Sequence, residues 1–98
     1  MSYRVELAKK AIEDVLDLTP ALREALRRGL RELAEDPVGR SRRGGYPIPK
    51  GQQFHINLVH EGRRFLISVL FTYRDEPTEN VLQVIAVGHA DFGPASAV

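Results

Sequence analysis

Residues 52–73 read QQFHINLVHEGRRFLISVLFTY, and this stretch decides the fold. Phe54, Ile56 and Leu58 alternate with Gln53, His55 and Asn57, the two-residue period of a strand with one apolar face. After Glu61-Gly62 the alternation resumes. Phe65, Ile67, Val69, Phe71 and Tyr73 take one parity, and Arg64, Leu66, Ser68, Leu70 and Thr72 take the other. Two such runs joined by two residues, the second a glycine, predict a β-hairpin. A two-residue loop also sets the register: 60 opposes 63, 59 opposes 64, 58 opposes 65, 57 opposes 66 and 56 opposes 67. The aromatic-rich parity is expected to be covered. The parity of His55, Asn57, Arg64, Leu66, Ser68 and Leu70 is expected to face outward.

The flanking sequence supplies the cover. Tyr3, Val5 and Leu7 alternate with polar residues and predict a strand over 2–7. Over 8–18 the period becomes helical, with Ala8, Ala11, Ile12, Val15 and Leu16 on one stripe. Thr19-Pro20 ends that helix and starts the next, as an N-cap followed by a first-turn proline. The second helix, about 20–35, carries Leu22, Ala25, Leu26, Leu30 and Leu33 inward and stops at Asp36-Pro37. Gly29 in its interior suggests close packing against a neighbouring element. Arg23, Arg27 and Arg31 form an exposed stripe, with Arg27 or Arg28 expected to pair with Glu24 and Glu32. Residues 36–51 hold three prolines and four glycines and predict a long loop. Residues 74–80 form a polar turn. Residues 81–89 are apolar on both parities, as in a central strand.

The expected fold is therefore α+β in one domain, 1–98, ordered β-α-α-β-β-β. An N-terminal strand and an antiparallel helical hairpin precede a three-stranded antiparallel meander, with both helices on one face. The tail, 90–98, is expected to be frayed.

The chain has 14 Lys+Arg against 13 Asp+Glu, a net charge of +1, which excludes a uniformly basic nucleic-acid coat. The charge is unevenly placed. Residues 1–35 are balanced. Residues 36–51 carry Arg40, Arg42, Arg43 and Lys50 against Asp36, and residues 52–98 are slightly acidic. There is no cysteine, so disulfide, thiol and cysteine-zinc chemistry is excluded. Three histidines without cysteine make no metal signature, and no cofactor is expected. The N-terminus lacks a signal-peptide apolar core, and the longest nearly apolar run, Phe65–Phe71, is far short of a membrane span. The expected location is the cytoplasm, without membrane association.

Local motifs add a resemblance. Leu-Ala-Glu-Asp-Pro at 33–37, Gly-Arg-Arg-Phe-Leu-Ile at 62–67 and Val-Ile-Ala-Val-Gly-His at 84–89 are similar, in order and spacing, to motifs of the RelE/ParE superfamily of bacterial type II toxins. The resemblance spans about 3–92. It implies a toxin neutralised by a cognate antitoxin. In RelE-like members the activity is ribosome-dependent mRNA cleavage, an endoribonuclease reaction that halts translation. In ParE-like members it is non-enzymatic inhibition of DNA gyrase. A degenerate homologue that only binds antitoxin is the third possibility.

By the resemblance, Arg64 matches the arginine that stabilises the scissile phosphate. His55 and Asn57 fall where RelE-type members have two lysines. Ala90 stands in place of a second arginine, and the C-terminal tyrosine has no match, although Phe92 lies nearby and can stack. A neutral-range imidazole suits proton transfer, so His55 and His89 are the acid–base candidates. His60 reads as a turn residue. Arg40, Arg42, Arg43 and Lys50, with Asn57, are the RNA-binding candidates. Leu66 and Leu70 are apolar residues on the open parity and are the candidates for antitoxin contact. The ribosome and mRNA, or gyrase in the alternative, complete the expected partners.

Overall fold

The structure is a computed structural model that describes residues 3–37, 42–43, 51–75 and 79–95. Its centre is the hairpin of β3 (Gln52–His60) and β4 (Arg63–Asp75). Glu61 and Gly62 both have positive φ, 50° and 74°, which gives the turn the twist that matches the flanking strands. His60 opposes Arg63, and the pairing runs in step to Gln52 opposite Phe71, the register that the two-residue loop dictates.

β4 then pairs antiparallel with β5 (Asn80–Pro94), and β5 pairs in parallel with β1 (Arg4–Leu7). A two-residue strand, β2 (Arg42–Arg43), pairs with Gln53 and Gln52 at the far edge. The sheet order is β1-β5-β4-β3-β2. The loop expected over 36–51 is thus interrupted by an edge strand. Arg40 and Lys50 lie outside the described residues, as do the side chains of Arg42 and Arg43.

β5 corrects a second expectation. It continues as strand to Pro94, so 90–94 are not frayed. Arg63 holds Asp91 at 2.9 Å, and the Ala95 N–H donates to the Gly62 carbonyl at 2.8 Å, which ties this end of β5 to the hairpin turn. Residues 96–98 lie outside the described residues. Leu70 opposes Ala86 while Phe71 opposes Val84, so Ile85 is an extra residue, a bulge. The bulge switches the inward parity of β5 from Leu82 and Val84 to Val87. This, together with its central position, explains why 81–89 are apolar on both parities.

α1 (Lys9–Leu16) packs against β5, and α2 (Pro20–Glu35) packs against β3. Thr19 caps α2 through its Oγ1, which accepts the Leu22 N–H at 3.5 Å. Arg23 donates to the Val15 and Leu16 carbonyls, satisfying the end of α1. Arg27 pairs with Glu24, as the stripe suggested. Leu22, Ala25, Leu26 and Leu33 bury against Ile67, Val69 and Phe71.

α1 departs from its expected stripe. Ala11 is buried, but Ile12 and Leu16 are 47% and 67% exposed. The helix lies over the end of β1 and turns the Asp14 carboxylate, rather than Ile12, toward the sheet. Asp14 Oδ2 accepts the Val87 N–H at 2.9 Å, and its other oxygen meets Lys10. β1 pairs with β5 only as far as Val84. Asp14 therefore supplies the acceptor for a strand N–H that the sheet leaves open.

Lys10 first, then the Val87 N–H, hold the Asp14 carboxyl below the ordinary carboxylate range. A depressed carboxyl stabilises the fold above its unfolded value of about 3.9 and loses that contribution as pH falls through the folded value. Asp14→Asn keeps an acceptor for Val87 and loses the ion pair. Its urea midpoint at pH 7 should correspond to about 1 kcal/mol lower stability, and the gap should narrow as pH falls through the lowered folded value and the carboxyl protonates.

Gly29 is required by the α2–β3 contact. A Cβ there would stand 2.8 Å from Ile56 Cγ1 and closer still to Cδ1. An added methyl gains about 1 kcal/mol of helix propensity, which offsets a modest shift of Ile56. Gly29→Val adds branched bulk without that offset and should lower stability by about 1–3 kcal/mol in thermal unfolding.

Candidate functional site on the open face

Cross-strand partners share a face, so the ladders define the open surface row by row. One row is Asn57, Leu66 and Ala90. The next is His55, Ser68 and Gly88, and the third is Gln53, Leu70 and Ala86. Val59 opposes Arg64 at the hairpin end, and alternation from Ala90 puts Phe92 on the same side, 61% exposed. His55, Asn57 and Arg64 are exposed, and Leu66 and Leu70 are half-buried. The opposite parity is the covered one: Ile67, Val69 and Phe71 are essentially inaccessible.

The two adjacent arginines of the hairpin differ. Arg63 is committed to Asp91, whose carboxyl is held below its ordinary range by Arg63 first and by the Gly93 N–H second. Arg64 points to the open face and has no hydrogen-bond or ion-pair partner among the described residues. It lines a shallow cleft of about 370 Å³ with Asn57, Leu58 and Val59. Among the described side chains of these rows Arg64 is the only arginine or lysine; the backbone of Arg42 pairs with Gln53 at the end of the third row.

His55 sits further along the strand. It lines a second depression, about 340 Å³, with Gln53, Ser68, Leu70 and Gly88, and with Lys10 and Asp14 at its rim. At roughly 3.3 Å per residue and 4.8 Å between strands, the Cα atoms of His55 and Arg64 lie about 14 Å apart. The two side chains bracket a length of open face and do not meet.

His89 does not join them. It opposes Ile67, a residue buried beneath the helices, so it lies on the helix-bearing face although it is itself exposed. The sheet stands between His89 and Arg64. This corrects the grouping of three candidates: parity along β5, reset by the bulge at Ile85, puts His89 on the same side as Val87. His60 stands beside the turn, 3.7 Å from Glu61.

Among the described residues, no three His, Asp or Glu side chains gather as a metal site. No helix among them is long and apolar enough to cross a membrane.

Sequence reasoning missed Asp14, which it placed on the polar face of α1. Its signal was position: Asp14 falls between Ala11, Val15 and Leu18, three residues that pack inward.

A strand, a helical hairpin over one face and a long antiparallel meander with a bare opposite face make a specific arrangement, and solved structures share it. A RelBE toxin–antitoxin complex from Mycobacterium tuberculosis superposes with a TM-score of 0.62, covering 92% of this chain and 100% of that chain at 16% identity. The chain has the RelE fold. The intact Escherichia coli RelBE complex gives 0.60 over 98% of this chain and 100% of that one, at 23% identity. A double mutant of E. coli RelE in the free state gives 0.59 over 90% and 83%, also at 23% identity. No protein-family profile and no curated protein matches the sequence. Within this RelE fold, the open face is the surface that no described helix covers, and Arg64 is an exposed cation on it without a partner among the described residues.

Proposed function

We propose that this chain is the toxin of a type II toxin–antitoxin module and that it cleaves messenger RNA on the ribosome, acting in the cytoplasm. One observation carries the reading: an exposed arginine without a partner among the described residues, Arg64, stands at the hairpin end of the open face, while its neighbour Arg63 is committed to Asp91.

Cleavage begins when a ribose 2′-OH gives its proton to the His55 imidazole and the oxygen attacks the adjacent phosphorus. The Arg64 guanidinium donates to the non-bridging oxygens, where charge grows in the phosphorane. The bond from phosphorus to the 5′-oxygen breaks. That oxygen leaves as a hydroxyl with a proton from solvent, and the other fragment ends in a 2′,3′-cyclic phosphate. Asn57, in the same cleft as Arg64, hydrogen-bonds the RNA backbone. Arg40, Arg42, Arg43 and Lys50 contact further phosphates. An antitoxin segment laid across the open face covers Leu66 and Leu70, and so occludes Arg64.

A second reading rests on Ala90. The row Asn57, Leu66, Ala90 supplies neither a second cation nor an acid, which suits a ParE-like chain that inhibits DNA gyrase by contact alone. Growth arrest on induction, followed by separate measurements of protein synthesis and plasmid supercoiling, tests the two. Translation should stop first with supercoiling intact. Lost supercoiling with translation intact favours gyrase, and unimpaired growth overturns both.

A further inference from the structure

The part of β5 beyond β1 is an open sheet edge with a self-complementary sequence. β1 pairs with β5 only over Val81–Val84, and Asp14 then takes the Val87 N–H. Because that N–H points away from β4, the two-residue period turns the backbone groups of His89 and Asp91 outward as well. From Gly88 to Phe92 no described strand lies on this side. From Gly88 to Phe92 the segment has no lysine, no proline and no covering helix among the described residues; its one charged side chain is Asp91, and the irregular register with β4 comes only after it.

We propose that this edge pairs with the same edge of a second copy, antiparallel about a two-fold axis through Ala90, so that the two sheets become one. The register follows from hydrogen bonding and from keeping like charges apart. Centred on Ala90, each His89 opposes Asp91 of the other copy, twice by symmetry, and these residues present outward N–H and C=O groups to each other. Each Gly88 opposes Phe92 of the other copy, whose ring covers the missing side chain. Centred on Asp91, two carboxylates would face each other. Centred on His89, the pairing would need the Val87 N–H that Asp14 already holds. The axis is perpendicular to the sheet, so both open faces point the same way. The overlap is five residues, which makes a weak, concentration-dependent dimer rather than an obligate one. The inference does not depend on the toxin reading, because its test measures mass and not activity.

Sedimentation equilibrium of the purified full-length chain, from about 5 to 500 μM, should show reversible growth from the 11.0 kDa monomer to twice that mass. His89→Asp sets like charges across the seam and should weaken association at least tenfold with an unchanged thermal midpoint. His89→Lys should keep it. A chain that stays monomeric throughout, or a dimer indifferent to His89→Asp, overturns the proposal. So does a dimer that His89→Lys weakens as much as His89→Asp does.

Discussion

Arg64→Ala should remove growth arrest on induction and reduce transcript cleavage by about 10²–10³-fold, the usual cost of deleting a donor aimed at developing negative charge. The expected loss is this large because among the described side chains of the open face no second cation stands beside it; Ala90 occupies the neighbouring row. Arg64→Lys restores charge but not the bidentate fork, and should recover only part of the activity. The fold should be untouched, since Arg64 is exposed and bonds nothing else among the described residues. A matched substitution, Arg63→Ala, separates charge from position. It breaks the Arg63–Asp91 pair at the surface and should change stability by less than about 1 kcal/mol, leaving growth arrest in place. Colony counts after induction, with expression levels matched, read both variants.

Phe71→Ala should lower stability by about 3–5 kcal/mol, in the range of buried phenylalanine truncations. Phe71 is fully inaccessible and opposes Val84 at the bulge, where the inward parity of β5 changes. Its ring packs against Tyr73 at 6.5 Å between centroids, and Tyr73 meets Tyr3 edge-on at 6.1 Å. Truncation therefore opens a cavity in the core cluster that the two helices share with β4 and β5. Equilibrium urea unfolding followed by circular dichroism measures the loss. A domain of this size has only about 5–15 kcal/mol in total, so the variant should be partly unfolded at 37 °C.

Phe71 also shows how much of the fold is legible in the sequence. The parity of 65–73, read against that of 54–58, assigns the covered face, and the Glu61-Gly62 loop sets the register without any structure. Local rules suffice there because the hairpin is a local object. They fail where the partner is distant in sequence. Asp14 reads as a polar-face residue of α1 until Val87 is seen beside it. Ile12 and Leu16 read as core until the short helix is seen to lie over the sheet edge. β2 is a two-residue edge defined only by its pairing with Gln52 and Gln53. His89 is the instructive case for the site. Its place at the end of an apolar strand invites grouping with Arg64, but one inserted residue, Ile85, fixes its side of the sheet, and a bulge leaves no mark in a strand that is apolar on both parities. The open-face placement of Arg64, His55 and Asn57 is legible because all three belong to the hairpin. The commitment of Arg63 to Asp91, which leaves Arg64 as the free arginine of the pair, needed the fold.

The measurement that bears most directly on the toxin reading is cleavage of a defined transcript by the purified chain, with and without programmed ribosomes, mapped by primer extension. The expected result is cleavage at discrete positions only when ribosomes are present, abolished in Arg64→Ala. An intact transcript under those conditions, with gyrase supercoiling inhibited by the same protein at micromolar concentration, would contradict it.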